Sequence, residues 1–448
     1  DGGAGIASLP RSEPPPKFAA DLPAGRLRQR LSARLGVRAL LPLATLEVRS
    51  HHLRLKDPEG KTRLRLFLEQ HRLREPDKRA RLLSKQVRVE PLRGYEKAAT
   101  EILTLLEDEL GLQPEAQDLL LRALAALGKE PATSASKLDI PLEPELRADA
   151  ALRRILLVLL ETMERNEAGT SADLDSEFLH DFRVAVRRTR SALGQLKTVL
   201  PRATLARFRR EFAWLGTITS PTRDLDVYLL KFGNYQQQLP EEMRADLEPL
   251  REFLIRHQRE EQALLARQLA GARYRKLKRS WRRYLESPLP QRPGARDARK
   301  PILEVARRRT WRMYRRVRRE GRAITPDSPA TDLHELRKSC KKLRYLMEFF
   351  QALFPAAELR KLTRELKSLQ DNLGDFQDLE VQTGTLGHYA EQMRAEGHMN
   401  PRTERAMQTL QAGLKSGMHE VRSEFEQRFA RFSRKPNAQR FQRLFKPE

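Results

Sequence analysis

The chain has 448 residues, with 86 Lys+Arg against 60 Asp+Glu, a net charge of +26 and a pI near 10.5, which points to a partner carrying many negative charges. Its single cysteine, Cys340, excludes an intramolecular disulfide and a Cys-rich zinc module and fits a reducing compartment. The longest apolar stretch, Ile155 to Leu160, is flanked by Arg153, Arg154 and Glu161 and is far too short to cross a bilayer. No secretory leader is visible, and an opening Asp in place of Met reads as a segment of a longer chain.

In chain order, residues 1–24 are rich in Pro, Gly and Ala and are expected to be a tail or linker. Thr45 to Arg54 and Thr62 to His71 alternate with a period of two around Lys56-Asp-Pro-Glu-Gly60, which predicts strand, turn, strand. A third strand at Lys85 to Glu90 leads into a helical run from Tyr95 to Leu110, so residues 25–128 read as a small α+β unit. Residues 129–143 are the expected linker. Beyond it the pattern is helical, with breaks at Pro201, Pro221, Pro240, Pro288 to Gly294, Pro326 to Pro329, Pro355, Gly374 and Pro401. That predicts about four helices in 144–287 and about four more in 296–448.

Within this region the sequence repeats at a constant offset of 154. Leu179-His180-Asp181-Phe182-Arg183 falls on Leu333-His334-Glu335-Leu336-Arg337, Arg187-Arg188 on Lys341-Lys342, and Arg190 on Arg344. Without a gap, Asp224-Leu225-Asp226-Val227 then falls on Asp378-Leu379-Glu380-Val381. An offset held in register over some fifty residues implies a duplicated helical bundle.

On a helical wheel His180, Arg183, Arg187 and Arg190 share one stripe, and Leu179, Phe182, Val186 and Leu193 the opposite one. His334, Arg337, Lys341 and Arg344 repeat that stripe, opposite Leu333, Leu336, Cys340 and Met347. Each helix thus presents a ladder of cations headed by an imidazole; like charges at i, i+4 repel, and an anion lying along them relieves the repulsion. A basic helix face is most often only solvated, but solvation does not require the same order twice. Arg188 and Lys342 sit off the stripe. From Arg267 to Arg322 there are 21 Lys/Arg against four Asp/Glu, a net of +17, and Arg308 and Arg312 on its last helix are expected to border the same site.

These residues resemble a known family. His180 to Leu193 and His334 to Phe350 look like the two signature helices of CHAD domains, the conserved-histidine α-helical domains, and Arg223-Asp-Leu-Asp226 and Leu373-Gly-Asp-Phe-Gln-Asp378 resemble its downstream motifs. The resemblance, over roughly 144–448, implies a mainly α fold of two pseudo-twofold-related four-helix bundles whose basic helices line a shared surface or pore that binds inorganic polyphosphate. It assigns the anion contacts to His180, Arg183, Arg187, Arg190, His334, Arg337, Lys341 and Arg344, with Arg188 and Lys342 beside them. It also implies a cytoplasmic location, with polyphosphate granules as a destination.

Leu35-Gly-Val-Arg38-Ala-Leu-Leu-Pro42, the hairpin, Val87-Arg-Val-Glu90 and Arg93-Gly-Tyr95 resemble the later part of a CYTH domain, whose opening Glu-x-Glu-x-Lys motif helps to bind metal and hydrolyse triphosphate. Here that motif is absent, and Glu47, Glu69 and Glu90 are the remaining candidate inward acids. The unit therefore reads as partial and non-catalytic, with Arg49, Arg54, Arg63 and Arg65 as cations able to meet phosphate. Asp224, Asp226, Asp378 and Glu380 are read as helix caps or cation-orienting acids rather than metal ligands, His51 and His52 alternate on a strand and cannot chelate one ion, and Cys340 is expected in the core. No cofactor, metal site or catalytic residue is expected. Sequence-independent binding of nucleic-acid phosphates is the second reading, weakened by 6% aromatic content and cation stripes free of aromatic residues. A metal-dependent triphosphatase in the N-terminal unit is the third.

Overall fold

The computed structural model describes residues 16–75, 77–115, 117–129 and 140–447, so residues 1–15 of the expected tail and 130–139 of the expected linker lie outside it. The chain forms two compact units, divided between Ala135 and Ser136.

The N-terminal unit opens with α1 (Arg26–Leu35), followed by β1 (Thr45–Lys56), β2 (Thr62–Arg74) and β3 (Arg81–Pro91) in an antiparallel sheet ordered β1-β2-β3. Gly60 takes φ +83° in the first hairpin turn, a conformation that needs glycine. Two helices follow, α2 (Glu96–Asp108) and α3 (Leu119–Ala126). The period-two alternation set the strands correctly, yet Val48, Leu53, Leu68 and Leu82 remain exposed on the sheet.

The second unit is helical: α4 (Ala148–Ser171), α5 (Ser176–Gln195), α6 (Arg202–Ile218), α7 (Ser220–Gln237), α8 (Glu248–Ala270) and α9 (Ala272–Glu286), then α10 (Ile302–Arg322), α11 (Ala330–Phe349), α12 (Ala356–Ala395), α13 (Pro401–Ser423), α14 (Phe425–Ser433) and α15 (Lys435–Phe445). Among the described residues that is six helices per half, where the break pattern predicted about four. None of the described helices is long and apolar enough to cross a membrane. The first residues of α4, α5 and α6 are followed 154 positions later by those of α10, α11 and α12. The halves part at Pro221, which lies at the start of α7 and cannot donate the backbone hydrogen bond that would continue α6. The matching position in the second half is Asp375, and there the helix runs on unbroken. The break predicted at Gly374 is thus not found, because an interior glycine costs a helix only about 1 kcal/mol, which packing offsets.

The halves do not have separate cores. One apolar cluster draws Leu152, Phe182, Leu215 and Trp281 from the first half together with Tyr314, Leu336, Leu362 and Phe441 from the second. A second cluster joins Tyr228 and Phe253 to Tyr389 and Leu410. The apolar stripes read from the wheel are all buried, including Leu179, Phe182, Leu336 and Cys340, each large side chain contributing about 1.5–3 kcal/mol. With these faces turned inward, the cationic stripes of α5 and α11 are left facing the space between the halves.

Candidate functional site

Asp175 caps α5, its carboxylate accepting from the backbone N–H of Glu177 (2.8 Å) and Phe178 (3.2 Å), which fixes where the histidine stripe begins. The two stripes meet in a cavity of about 720 Å³ lined by His180, Arg183 and Arg187 from α5 and by His334, Arg337 and Lys341 from α11. A second cavity, of about 660 Å³, adds Arg190 and Lys342, and a third, of about 300 Å³, adds Arg344. All three share Arg187, Arg337 and Lys341.

The remaining sequence-predicted residues lie elsewhere. Arg188 donates to Glu348 (2.9 Å), whose other oxygen accepts from Arg344 (2.7 Å), so one carboxylate ties α5 to α11. Arg308 and Arg312 line none of these cavities, nor does any residue from Arg267 to Arg322. Arg308 instead ion-pairs with the fully buried Asp297 (2.6 Å), and Arg312 is exposed on the same helix. Asp378 and Glu380 sit in the middle of α12 and cannot cap it. Asp378 pairs with Arg337 (3.4 Å) and Lys231 (3.6 Å), while the buried Asp226 accepts from Gln258 (3.1 Å) and is pushed up to about 6 by burial.

The paired positions have different surroundings. Arg183 donates to Thr219 Oγ1 (2.8 Å), Ser220 Oγ (3.1 Å) and the Gly216 carbonyl (3.3 Å), all neutral acceptors. Burial lowers it to about 10, so it remains charged at neutral pH. Arg337, its counterpart, faces Asp378, and its Nε is buried without a partner. Arg187 is steadied by its Nε donating to the Tyr345 hydroxyl (3.0 Å). Lys341, its counterpart, makes no hydrogen bond or ion pair, and burial, with the charges of Arg337 and Arg187, pulls it down to about 8. Arg190 lies over Gly216, where an added Cβ would stand 2.7 Å from its Nη1.

The histidines differ in the same way. Arg223 Nη2 donates to His180 Nδ1 (3.0 Å); because a guanidinium can only donate, the His180 proton must sit on Nε2. Burial and the Arg223 charge hold this imidazole below its usual range, so it is neutral at neutral pH. At His334 the partner is Gln377, whose Nε2 donates to Glu380 (3.1 Å). A carboxylate accepts only, which turns the Gln377 oxygen toward the ring and makes His334 Nδ1 the donor. Arg223 and Gln377 are 154 positions apart.

Sequence reasoning gave no role of their own to Tyr345, Glu348 or Gln377. Glu348 was accessible as an i, i+4 partner of Arg344; Tyr345 and Gln377 lie inside the segments that resemble the family's motifs, but the duplication did not mark Tyr345, whose counterpart is Ser191.

In the N-terminal unit the candidate acids are bound to arginines. Glu69 accepts from Arg88 (3.0 Å), Glu47 from Arg49 (3.4 Å), and Glu90 from Arg88. Among the described residues no group of three or more acids, histidines or cysteines could hold a metal ion.

A cavity walled by cations on two helices, with Arg337 ion-paired and Arg183, Arg187 and Lys341 not, can hold a multiply charged anion. The CHAD domain model matches residues 154–387, and the chain belongs to that family. Among solved structures it is similar to the CHAD domain from the plant Ricinus communis, at 23% identity and a TM-score of 0.54, covering 65% of this chain and 95% of that one. It is also similar to PptA from Streptomyces chartreusis, at 16% identity and a TM-score of 0.50, covering 63% and 99%. None of the curated proteins matches.

Proposed function

We propose that the helical unit binds inorganic polyphosphate without catalysis, through His180, Arg183, Arg187, His334, Arg337 and Lys341, and that its halves are duplicated bundles related by a pseudo-twofold axis. The observation that carries this reading is a cavity fed by cations from both halves in which neither Arg183 nor Lys341 is hydrogen-bonded or ion-paired to a carboxylate, although Asp224 and Asp378 stand near enough to attract them. A polymer of phosphates needs only such donors. Tyr228 and Tyr389 line the same cavity but are buried, with their rings packed on one another at 5.2 Å, so neither offers a face for a base to stack on. That favours polyphosphate over single-stranded nucleic acid. In this reading the N-terminal unit is a partial CYTH-like unit without triphosphatase activity, and the protein works in the cytoplasm on polyphosphate granules.

Competition binding at near-physiological salt tests this. Long-chain polyphosphate is expected to displace duplex DNA, and the charge reversals Arg183→Glu and Arg337→Glu together to weaken polyphosphate binding by more than about a hundredfold, since each charged hydrogen bond contributes about 1.5–3 kcal/mol. Unchanged affinity in the double reversal, or DNA that resists displacement, defeats the proposal.

A further inference from the structure

The third cavity carries a feature that the first half lacks. Its wall on α12 holds Asp371, Asp375 and Asp378, spaced i, i+4, i+7 and so on one stripe, across from Arg337, Lys341 and Arg344. Asp378 is paired with Arg337 and Lys231. Asp371 and Asp375 make no ion pair or side-chain hydrogen bond, and burial, with the charges of Asp378 and Asp371, pushes the Asp375 carboxyl above the usual range. Gln370 lines the same cavity at 7% exposure, and neither its Oε1 nor its Nε2 has a partner. A buried amide with both ends unpaired is a costly arrangement unless something else fills the site. At the matching first-half positions stand Gly216, Thr217 and Pro221, which supply no carboxylate or amide side chain.

We propose that this cavity takes a hydrated divalent cation of the magnesium type, held by Asp371, Asp375 and Gln370 on one side and by phosphate oxygens resting on Arg337 and Lys341 on the other. Magnesium keeps several waters and uses one or two carboxylates together with phosphates, so it requires no protein cage. That suits a site in which, among the described residues, no three acids or histidines gather closely enough to hold an ion alone. The ion cancels the repulsion between the aspartates and also the repulsion they exert on an anion lying along α11. Metal and anion therefore bind as coupled ligands, each raising the affinity for the other. The inference rests on the polyphosphate reading, because phosphate completes the coordination.

The test measures polyphosphate affinity of the full chain in EDTA and in millimolar Mg²⁺, for the wild type and for Asp371→Asn with Asp375→Asn, and follows bound Mn²⁺ by electron paramagnetic resonance. Mg²⁺ complexes free polyphosphate equally for both proteins, so the difference between their responses isolates the site. The wild type is expected to gain on the order of tenfold more from Mg²⁺ than the double variant, as for coupled ligands, and to show protein-bound Mn²⁺ only with polyphosphate present. The double variant is expected to bind more tightly than the wild type in EDTA and to lose the Mn²⁺ signal. Its melting temperature should not fall, and Gln370→Leu, which leaves every charge in place, should weaken the Mg²⁺ response as well. Equal responses to Mg²⁺ in wild type and double variant, or a Mn²⁺ signal that survives Asp→Asn, overturn the proposal while leaving polyphosphate binding intact. A wild type that binds polyphosphate in neither condition removes the underlying reading, and this proposal with it.

Discussion

The two halves of the helical unit carry the same cation pattern and surround it with different chemistry. In the first half Arg183 rests on two hydroxyls and a carbonyl, and Arg223 supplies a further positive charge beside His180. In the second half Arg337 faces Asp378, His334 faces a Gln377–Glu380 pair, and Asp371 and Asp375 stand nearby. Asp224, the counterpart of Asp378, attracts Arg183 without forming an ion pair, so acids meet the stripe cations by direct pairing in the second half and only at longer range in the first. The repeat keeps the cations of the two stripes, while the neighbours one helix away set how much of each charge is left open.

The comparison breaks most visibly at the paired arginines. Arg183→Gln should weaken polyphosphate binding by roughly 10- to 100-fold, the worth of one charged hydrogen bond whose donor has no carboxylate within hydrogen-bond distance. Arg337→Gln should cost only about fivefold, because part of its charge is already taken by Asp378, which keeps Lys231 as a partner when the arginine is gone. Isothermal titration of both variants at one salt concentration checks the order. Equal losses would show that the local carboxylates do not matter.

The second test concerns Arg187 and Lys341. Arginine stays charged through the accessible range, whereas Lys341 is pulled down to about 8 by burial and its cationic neighbours. A bound anion favours the charged lysine, so affinity should be flat well below that value and decline as pH rises through it. The expected loss between about pH 7 and pH 9 is up to about tenfold, the change in charged fraction for one group. Lys341→Arg should flatten the profile, and a profile unchanged in that variant would assign the decline to another group.

Much of this was legible before any coordinates. The helical period fixed which faces of α5 and α11 are apolar, the offset of 154 paired the positions, and the cations of both stripes do meet around shared cavities. What was hidden depended on contacts between residues distant in sequence. The density of charge between Arg267 and Arg322 suggested the surround of the site, but a helix borders a cavity only if its packing turns it that way, and Arg308 is turned to the buried Asp297. Arg188 could not be assigned to Glu348 from the wheel, since its partner lies on the other half. The continuation of α12 through Gly374 was equally out of reach, because glycine only weakens a helix whereas Pro221 breaks one.

The smallest and most specific effect lies in the histidines. His180 accepts the Arg223 proton at Nδ1, so its Nε2–H is a donor without any protonation, and a second proton would be placed beside a guanidinium. His334 spends its Nδ1–H on Gln377, so its Nε2 offers a lone pair where His180 offers a donor. A polyanion is therefore held by the first imidazole and not by the second. His180→Ala should weaken polyphosphate binding by about two- to tenfold, the net worth of one hydrogen bond, and His334→Ala should leave it nearly unchanged, as read by isothermal titration at one pH and salt concentration. Arg223→Gln should shrink the His180→Ala effect, because the guanidinium no longer fixes the proton on Nε2. Equal losses at the two histidines would mean that the Arg223 contact does not hold in solution, and the asymmetry argued from it would go.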